Sequence, residues 1–292
     1  MSIVARTANG LPVVVIAPES AESVPGLAAP GALATGASIS RIAHACEQSI
    51  GLHQQLVLAN GVMDQVRAAV GTAPHRRFVR QESQFGDLES MISALRTLGR
   101  TSASEFYFLT ADAPVTPQGL GLLRMKLRAT GAAMMALTGP SDDAGGAADR
   151  VVQAQLDRPG SEVLAIVAGP EIDALRDAET ISFRTFDGQQ HCYTREALLG
   201  IRAASVGAYG WRLEALRACV GQLAHRPGSD GRRWVSDLVA VLRRRRFVVR
   251  AFPLDHSDHS TQTDAQQALE RAGRACSELV AAARGDGSRE AP

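Results

Sequence analysis

The strongest constraint in this sequence is an alternation. Between residues 13 and 138, apolar runs too short for helices separate segments whose apolar residues recur at helical spacing. Val13-Val14-Val15-Ile16-Ala17 is mostly β-branched, stops at Pro18 and reads as a buried strand. Gln55 to Ala59, closed by Asn60-Gly61, is a second strand, Phe78 to Arg80 a third and Glu105 to Thr110 a fourth. In the fourth, Phe106-Tyr107-Phe108-Leu109 leaves no polar side for solvent, as a strand covered on both faces requires. Helical spacing marks Ser38 to Ile50, Val62 to Val70, Asp87 to Leu98 and Pro117 to Thr130, and Ala132 to Thr138 is strand again. Strand and helix in turn give parallel strands joined by right-handed crossovers, with helices on both faces. The expectation is a three-layer, Rossmann-like α/β fold with a mainly parallel sheet.

The pattern changes on either side of this core. Glu19 to Ala37, with prolines at 25 and 30 and glycines at 26, 31 and 36, reads as a long loop. Pro140 to Ala148 is rich in glycine and aspartate. From Val151 to Arg195, short strand-like pieces between turns suggest a small antiparallel insertion. Leu198 to Gly210 reads as strand, Arg212 to Leu223 and Trp234 to Arg245 as helices, and Phe247 to Phe252 as a last strand. Ala265 to Ala283 is an amphipathic helix, followed by a polar tail over 284–292. One domain over 11–283 accommodates all of these elements.

Composition narrows the function. Basic and acidic residues number 31 and 30, so the net charge of +1 gives no electrostatic footprint for nucleic acid. No uncharged apolar run approaches the roughly 20 residues that span a bilayer, and no membrane partner is expected. Val13 to Ala17 is too short for the apolar core of a signal peptide. The four cysteines lack CxxC spacing, which argues for a reduced, cytoplasmic protein without a zinc ribbon. Lys126 is the sole lysine, so any chemistry that needs an amine must use it or do without.

Two segments carry candidate chemistry. Asp112, in Thr110-Ala111-Asp112-Ala113-Pro114, follows a buried strand and so belongs to the crevice where open α/β sheets bind ligands. A lone carboxylate there suits Mg²⁺, which takes one or two carboxylates and fills its shell with water and phosphate oxygens. The competing reading is an aspartate that merely caps the helix beginning near Pro117. In Gln81-Glu82-Ser83-Gln84-Phe85-Gly86-Asp87, two amides offer paired donors and acceptors to a nucleobase edge, and Gly86 permits close backbone approach. An ordinary loop ending in Asp87 as helix cap explains the same residues.

Taken in order, these motifs resemble the sugar-1-phosphate nucleotidyltransferases, most of all the uridylyltransferase domain of bacterial N-acetylglucosamine-1-phosphate uridylyltransferase. Gln81, Gln84, Gly86 and Asp87 fall on the family's base-recognising Q-x-x-Q-x-G-T loop, with Asp87 in place of threonine. Ala111-Asp112-Ala113-Pro114 resembles its G-D-x-P motif, Leu33-Ala34-Thr35-Gly36 its L-x-G-K-P segment, and Trp234-Val235-Ser236-Asp237-Leu238 its late Y-x-T-D-I helix. The E-x-N-T-G segment matches Ala204-Ser205-Val206-Gly207, which puts Ser205 and Gly207 at the sugar. The resemblance covers residues 11–275 and divides them into a nucleotide-binding half, 11–138, and a sugar-binding half, 139–264. It implies a nucleotide or nucleotide-sugar ligand, Mg²⁺ on Asp112 with Asp264 as a second ligand, and the reaction of an NTP with a sugar 1-phosphate. No acetyl transfer is implied, because the family's separate acyltransferase domain has no counterpart.

Departures from the family pattern are concentrated where it grips phosphate. In place of the glycine-rich L-A-A-G-x-G-T-R-M stretch stands Ile16-Ala17-Pro18-Glu19-Ser20-Ala21-Glu22-Ser23-Val24. Pro18 removes an N–H donor, Ser23 replaces the arginine, and the P-K pair falls on Pro30-Gly31, without the lysine. A carboxylate such as Glu19 or Glu22 about 4 Å from a phosphate costs on the order of 4 kcal/mol at an effective dielectric near 20. Two alternatives follow: a catalytically silent binding or scaffolding module, and a metal-dependent glycosyltransferase using Asp112 with His256 and His259 of Asp255-His256-Ser257-Asp258-His259.

Overall fold

The computed structural model describes residues 12–16, 30–49, 54–59, 63–80, 87–99, 103–111, 113–140, 149–155, 160–176, 178–222 and 235–254. The chain divides into two compact units, Met1–Pro253 and Leu254–Pro292, and the architecture below is that of the first.

Its parallel half follows the expected alternation: β1 (Pro12–Ile16), α1 (Pro30–Gln48), β2 (Gln54–Ala59), α2 (Met63–Val70), β3 (Arg76–Arg80), α3 (Asp87–Leu98), β4 (Glu105–Thr110), α4 (Pro117–Thr130) and β5 (Met134–Pro140). The remainder runs β6 (Arg150–Gln153), β7 (Val163–Val167), α5 (Gly169–Ala174), β8 (Thr180–Arg184), β9 (Gln190–Thr194), α6 (Arg195–Leu199), β10 (Ala203–Arg212), α7 (Leu213–Val220), α8 (Val235–Arg244) and β11 (Val249–Pro253). Among the described residues the main sheet has the order β11-β5-β10-β4-β1-β2-β3, with β6 and β7 branching from β10. β1 is parallel to β2 and β4, β2 to β3, and β5 to β11, whereas β10 runs antiparallel between β4 and β5. The insertion is antiparallel, as expected: β6 pairs with β7, and β8 with β9 in a separate ribbon.

The two faces are filled by successive side chains of the same strands. Phe106 and Phe108 of β4 join Met134, Ala136, Tyr209 and Trp211 in a core covered by α3, α7 and α8. Tyr107 and Leu109, also fully buried, must point to the opposite face, because strand side chains alternate. There Gly210 of β10 leaves room: a Cβ on it would sit 3.2 Å from Tyr107 Cε1, 3.3 Å from Leu127 Cδ2 and 3.4 Å from Leu123 Cγ. Those leucines belong to α4, which therefore covers the second face. Burying each large apolar side chain contributes about 1.5–3 kcal/mol.

Two expectations need correction. Of the loop expected over Glu19–Ala37, the last part is helix, since α1 starts at Pro30. Proline fits the first helical position because its missing N–H has no intrahelical partner there, and Ala32, Ala34 and Ala37 outweigh the glycines in propensity. The strand expected over Leu198–Gly210 begins only at Ala203 and extends to Arg212. The residues before it form α6, whose first turn is capped by the Thr194 hydroxyl accepting from Ala197 N–H at 3.2 Å.

Candidate functional site at the carboxyl ends of β1 and β4

Strand order reverses direction between β1 and β4: the connection after β1 leads to β2 on one side, and that after β4 leads to β5 on the other. Open α/β sheets bind ligands at such a switch point, outside the carboxyl ends of the strands. Ile16 and Thr110, the last residues of the two strands, lie side by side in register. From Thr110 to Arg80, which ends β3, there are three strand spacings, about 14 Å. The segment holding Gln81, Gln84 and Gly86 leaves β3 after Arg80 and rejoins described structure at Asp87, the first residue of α3. Those three residues and Asp112 themselves lie outside the described residues, as do Glu19, Glu22, His256, His259 and Asp264.

The surroundings of Asp112 are defined. Ala113 N–H donates to Thr110 C=O at 3.0 Å, so the chain turns sharply where β4 ends, and Ala111 and Ala113 are buried. The capping role considered for Asp112 is taken by another residue. Thr116 is the N-cap of α4, its hydroxyl accepting from Gly119 N–H at 3.0 Å, with Pro117 next. The aspartate is therefore not needed to start that helix.

Against this turn the fold brings the segment matched to the sugar. Gly207 of β10 has φ +71, and a Cβ there would overlap the Thr110 hydroxyl oxygen outright. With glycine present, Thr110 Oγ1 donates to Gly207 C=O at 3.4 Å. Pairing with β5 slips between Ser205 and Tyr209, a bulge centred on this left-handed glycine. Beyond the bulge β10 parts from β4 and pairs instead with β6, through Ala204 and Arg150. Thr110 and Ser205 are thus brought to one edge of the sheet from sequence positions nearly a hundred residues apart.

Sequence reasoning missed the partners of Ser205. Its hydroxyl shares a 2.6 Å hydrogen bond with Tyr209 Oη, whose buried ring stands 6.2 Å from Phe108 and 6.4 Å from Trp211 between centroids. An apolar anchor in the core thereby fixes the direction of a partly exposed hydroxyl. Asp149 was missed too. Its carbonyl accepts from Ser205 N–H at 2.9 Å and its carboxylate from Gly169 N–H at 3.4 Å. Burial pushes the Asp149 carboxyl above the usual carboxylate range, and the Gly169 bond only partly offsets this. No periodicity links residues 149 and 205; only the pairing of β6 with β10 does.

Lys126 takes no part. Its Nζ lies 4.1 Å from the ring centroid of Phe252 on β11, which is three strands, about 14 Å, across the sheet from β4. A cavity of about 560 Å³ sits at the opposite end of β4, lined by Glu105, Arg128, Arg212 and Arg217 among others. Three of its charged groups are engaged in structural bonds. Arg128 Nε meets Glu105 at 2.5 Å, and Arg217 donates to Gly99 C=O at 2.7 Å. The crevice, not this cavity, joins the strand ends to the candidate residues. Among the described residues no helix is long and apolar enough to cross a membrane.

No protein-family profile matches the sequence, and no curated protein sequence matches it. Solved structures do resemble it. A CMP:2-keto-3-deoxy-manno-octonic acid synthetase complexed with CTP is 15% identical, covers 90% of this chain over 100% of its own, and gives a TM-score of 0.52. A UDP-glucose pyrophosphorylase complexed with UDP-glucose gives 0.55 at 10% identity, over 84% of this chain and 90% of its own. The nucleoside-diphosphate-sugar pyrophosphorylase of Vibrio cholerae RC9 gives 0.54 at 11% identity, over 84% and 92%. The chain therefore has the mixed α/β fold of these three structures, built on a mostly parallel central sheet.

Proposed function

We propose that this protein binds a nucleotide or nucleotide sugar in the crevice at the ends of β1 and β4 and transfers a nucleotidyl group to a sugar phosphate or an acidic sugar. The observation that carries this reading is the contact of Thr110 with Gly207, which joins the strand leading to Asp112 to the strand bearing Ser205. In the reaction, an acceptor oxygen attacks the α-phosphorus of an NTP. The bond from that phosphorus to the bridging oxygen breaks, and pyrophosphate leaves with the electron pair. Gln81 and Gln84 offer their amides to the base, with uracil first among the candidates, and Gly86 and Asp87 carry the chain into α3 behind it. Ser205, its hydroxyl held by Tyr209, offers a hydrogen bond to the sugar. The donor set is oxygen only, which fits a hard cation: Asp112 would hold Mg²⁺, which neutralises phosphate charge when bound.

A second reading is favoured by one sequence feature. Pro18, Glu19, Glu22 and Ser23 stand where a phosphate-gripping loop would need glycines and an arginine, which suits a module that binds without turning over. Calorimetry with UTP, CTP and UDP-glucose, with and without Mg²⁺, together with a pyrophosphate-release assay on glucose 1-phosphate, separates the two. Transfer predicts Mg²⁺-dependent binding and pyrophosphate release, both lost in Asp112→Ala. Binding with no pyrophosphate supports the silent module. Consumption of UDP-glucose without pyrophosphate, lost in His256→Ala, points to glycosyl transfer, and no binding of any nucleotide overturns the proposal.

A further inference from the structure

Among the described residues, Arg150 is a charge without a counterpart. The residue is 3% exposed, and its Nε and Nη1 are buried with no hydrogen-bond partner. No carboxylate among the described residues forms an ion pair with it. Arginine does not escape by losing its proton, so an unpaired buried guanidinium is a standing cost to the fold. Such a group in a native protein calls for an explanation, and a ligand that completes it is one.

Its place in the fold supplies that explanation. Arg150 opens β6, opposite Ala204 of β10 and Val167 of β7. Asp149, the adjacent carboxylate, is engaged elsewhere: it accepts from Gly169 N–H and forms no ion pair with Arg150. Ala204 is also opposite Gly139, which shares a face with Met135 and Leu137, whereas Ser205 is opposite Thr138 on the other face. Gly210, which packs against Leu123 and Leu127 of α4, is opposite Met135, so Arg150 projects from the α4 face. α4, which begins at Pro117, covers that same face. Ser205 and Arg150 therefore flank the outer end of β4 from its two sides, one offering a hydroxyl and the other a planar cation.

We infer that Arg150 is the oxyanion-binding residue of the acceptor subsite, pairing with the phosphate or carboxylate of an acidic sugar. This rests on the reading given under Proposed function. It selects substrates by charge: a guanidinium engages a planar or tetrahedral oxyanion through two parallel N–H bonds, which a neutral hydroxyl cannot reciprocate. It also offers a cation from a part of the chain other than the 17–31 segment, where the resemblance expects arginine and lysine and finds neither.

The test compares the full-length protein with Arg150→Met and Arg150→Lys by thermal unfolding and by calorimetry against glucose 1-phosphate, glucuronate, inorganic phosphate and glucose. The expected result is anion binding by the parent protein, with no binding of glucose. Preference for glucose 1-phosphate or for glucuronate distinguishes a phosphate from a carboxylate as the natural group. Arg150→Met is expected to weaken anion affinity on the order of 100-fold. It should leave the ligand-free midpoint unchanged or higher, because an uncompensated buried charge has been removed. Arg150→Lys should retain a charge and lie between the two. A lower ligand-free midpoint in Arg150→Met, with anion affinity unchanged, would make Arg150 a structural residue and overturn the inference. UTP binding measured on the same samples reports separately on the nucleotide reading: its absence with anion binding intact would sink that reading and leave a plain anion site on Arg150.

Discussion

Replacing Gly207 by alanine tests the joint between the two halves of the crevice. Two costs add. The backbone at φ +71 is left-handed, which costs an L-residue about 1–2 kcal/mol. The new methyl would also occupy the position of Thr110 Oγ1, with Thr110 Cβ at 3.0 Å and Cγ2 at 3.2 Å behind it. Thr110 ends a strand hydrogen-bonded to β1, so its backbone has little room to retreat, and overpacking of this kind costs about 1–3 kcal/mol. The sum is a loss of about 2–5 kcal/mol, read as a lower midpoint in urea unfolding at unchanged slope. Thr110→Ala in the same background removes Oγ1 and Cγ2 and leaves the Cβ contact. The pair should therefore couple favourably, by about 1–2 kcal/mol, while the backbone cost persists. A Gly207→Ala protein within about 0.5 kcal/mol of the parent, or one that Thr110→Ala does not rescue at all, would refute the close approach of β10 to the end of β4.

Two further predictions concern charge. Glu105, 6% exposed, binds Tyr107 Oη at 2.9 Å and lies 2.5 Å from Arg128 and 3.7 Å from Arg124. Because Arg128 is half exposed, we expect Glu105→Gln to cost about 1–3 kcal/mol and Arg128→Met less than about 1 kcal/mol by urea unfolding; the reverse order would count against this anchoring. The Asp149 carboxyl titrates above its unfolded value, so the folded state holds its proton over a range where the unfolded state has lost it. Stability should therefore fall as pH rises from the unfolded carboxylate pKa, near 4, through the raised one. Asp149→Asn keeps an acceptor for Gly169 N–H and should flatten that slope in pH-resolved unfolding; an unchanged slope would mean that another group carries it.

The parallel half of the fold could be read from the sequence because its signals are local. The β-branched run at Val13–Val15, the wholly apolar Phe106–Leu109 and the helical spacing of Leu88, Met91, Ile92 and Leu95 each decide their own structure. The end of β4 at Thr110 followed from the same logic. What escaped depends on distant pairing. Nothing near residue 203 indicates that its strand slots antiparallel between β4 and β5, or that Tyr209 reaches back to Ser205 across a bulge. The start of α1 carried a local signal, a proline at the first helical position, which the surrounding glycines obscured. Nothing in the sequence around Arg150 marks it as buried; its burial follows only from the pairing of β6 with β7 and β10.

The antiparallel strand also sets a timetable for synthesis. Thr110 and Gly207 are 97 residues apart, so at roughly 5–20 residues per second β4 waits about 5–20 s on the ribosome for its neighbour. Throughout that delay one rim of β4, bearing Phe106 and Phe108, has its amides and carbonyls unclaimed, a template for joining a second nascent molecule. Crowded translation of this message should therefore yield insoluble material from chains halted between these two positions, and far less from chains that have passed Arg212.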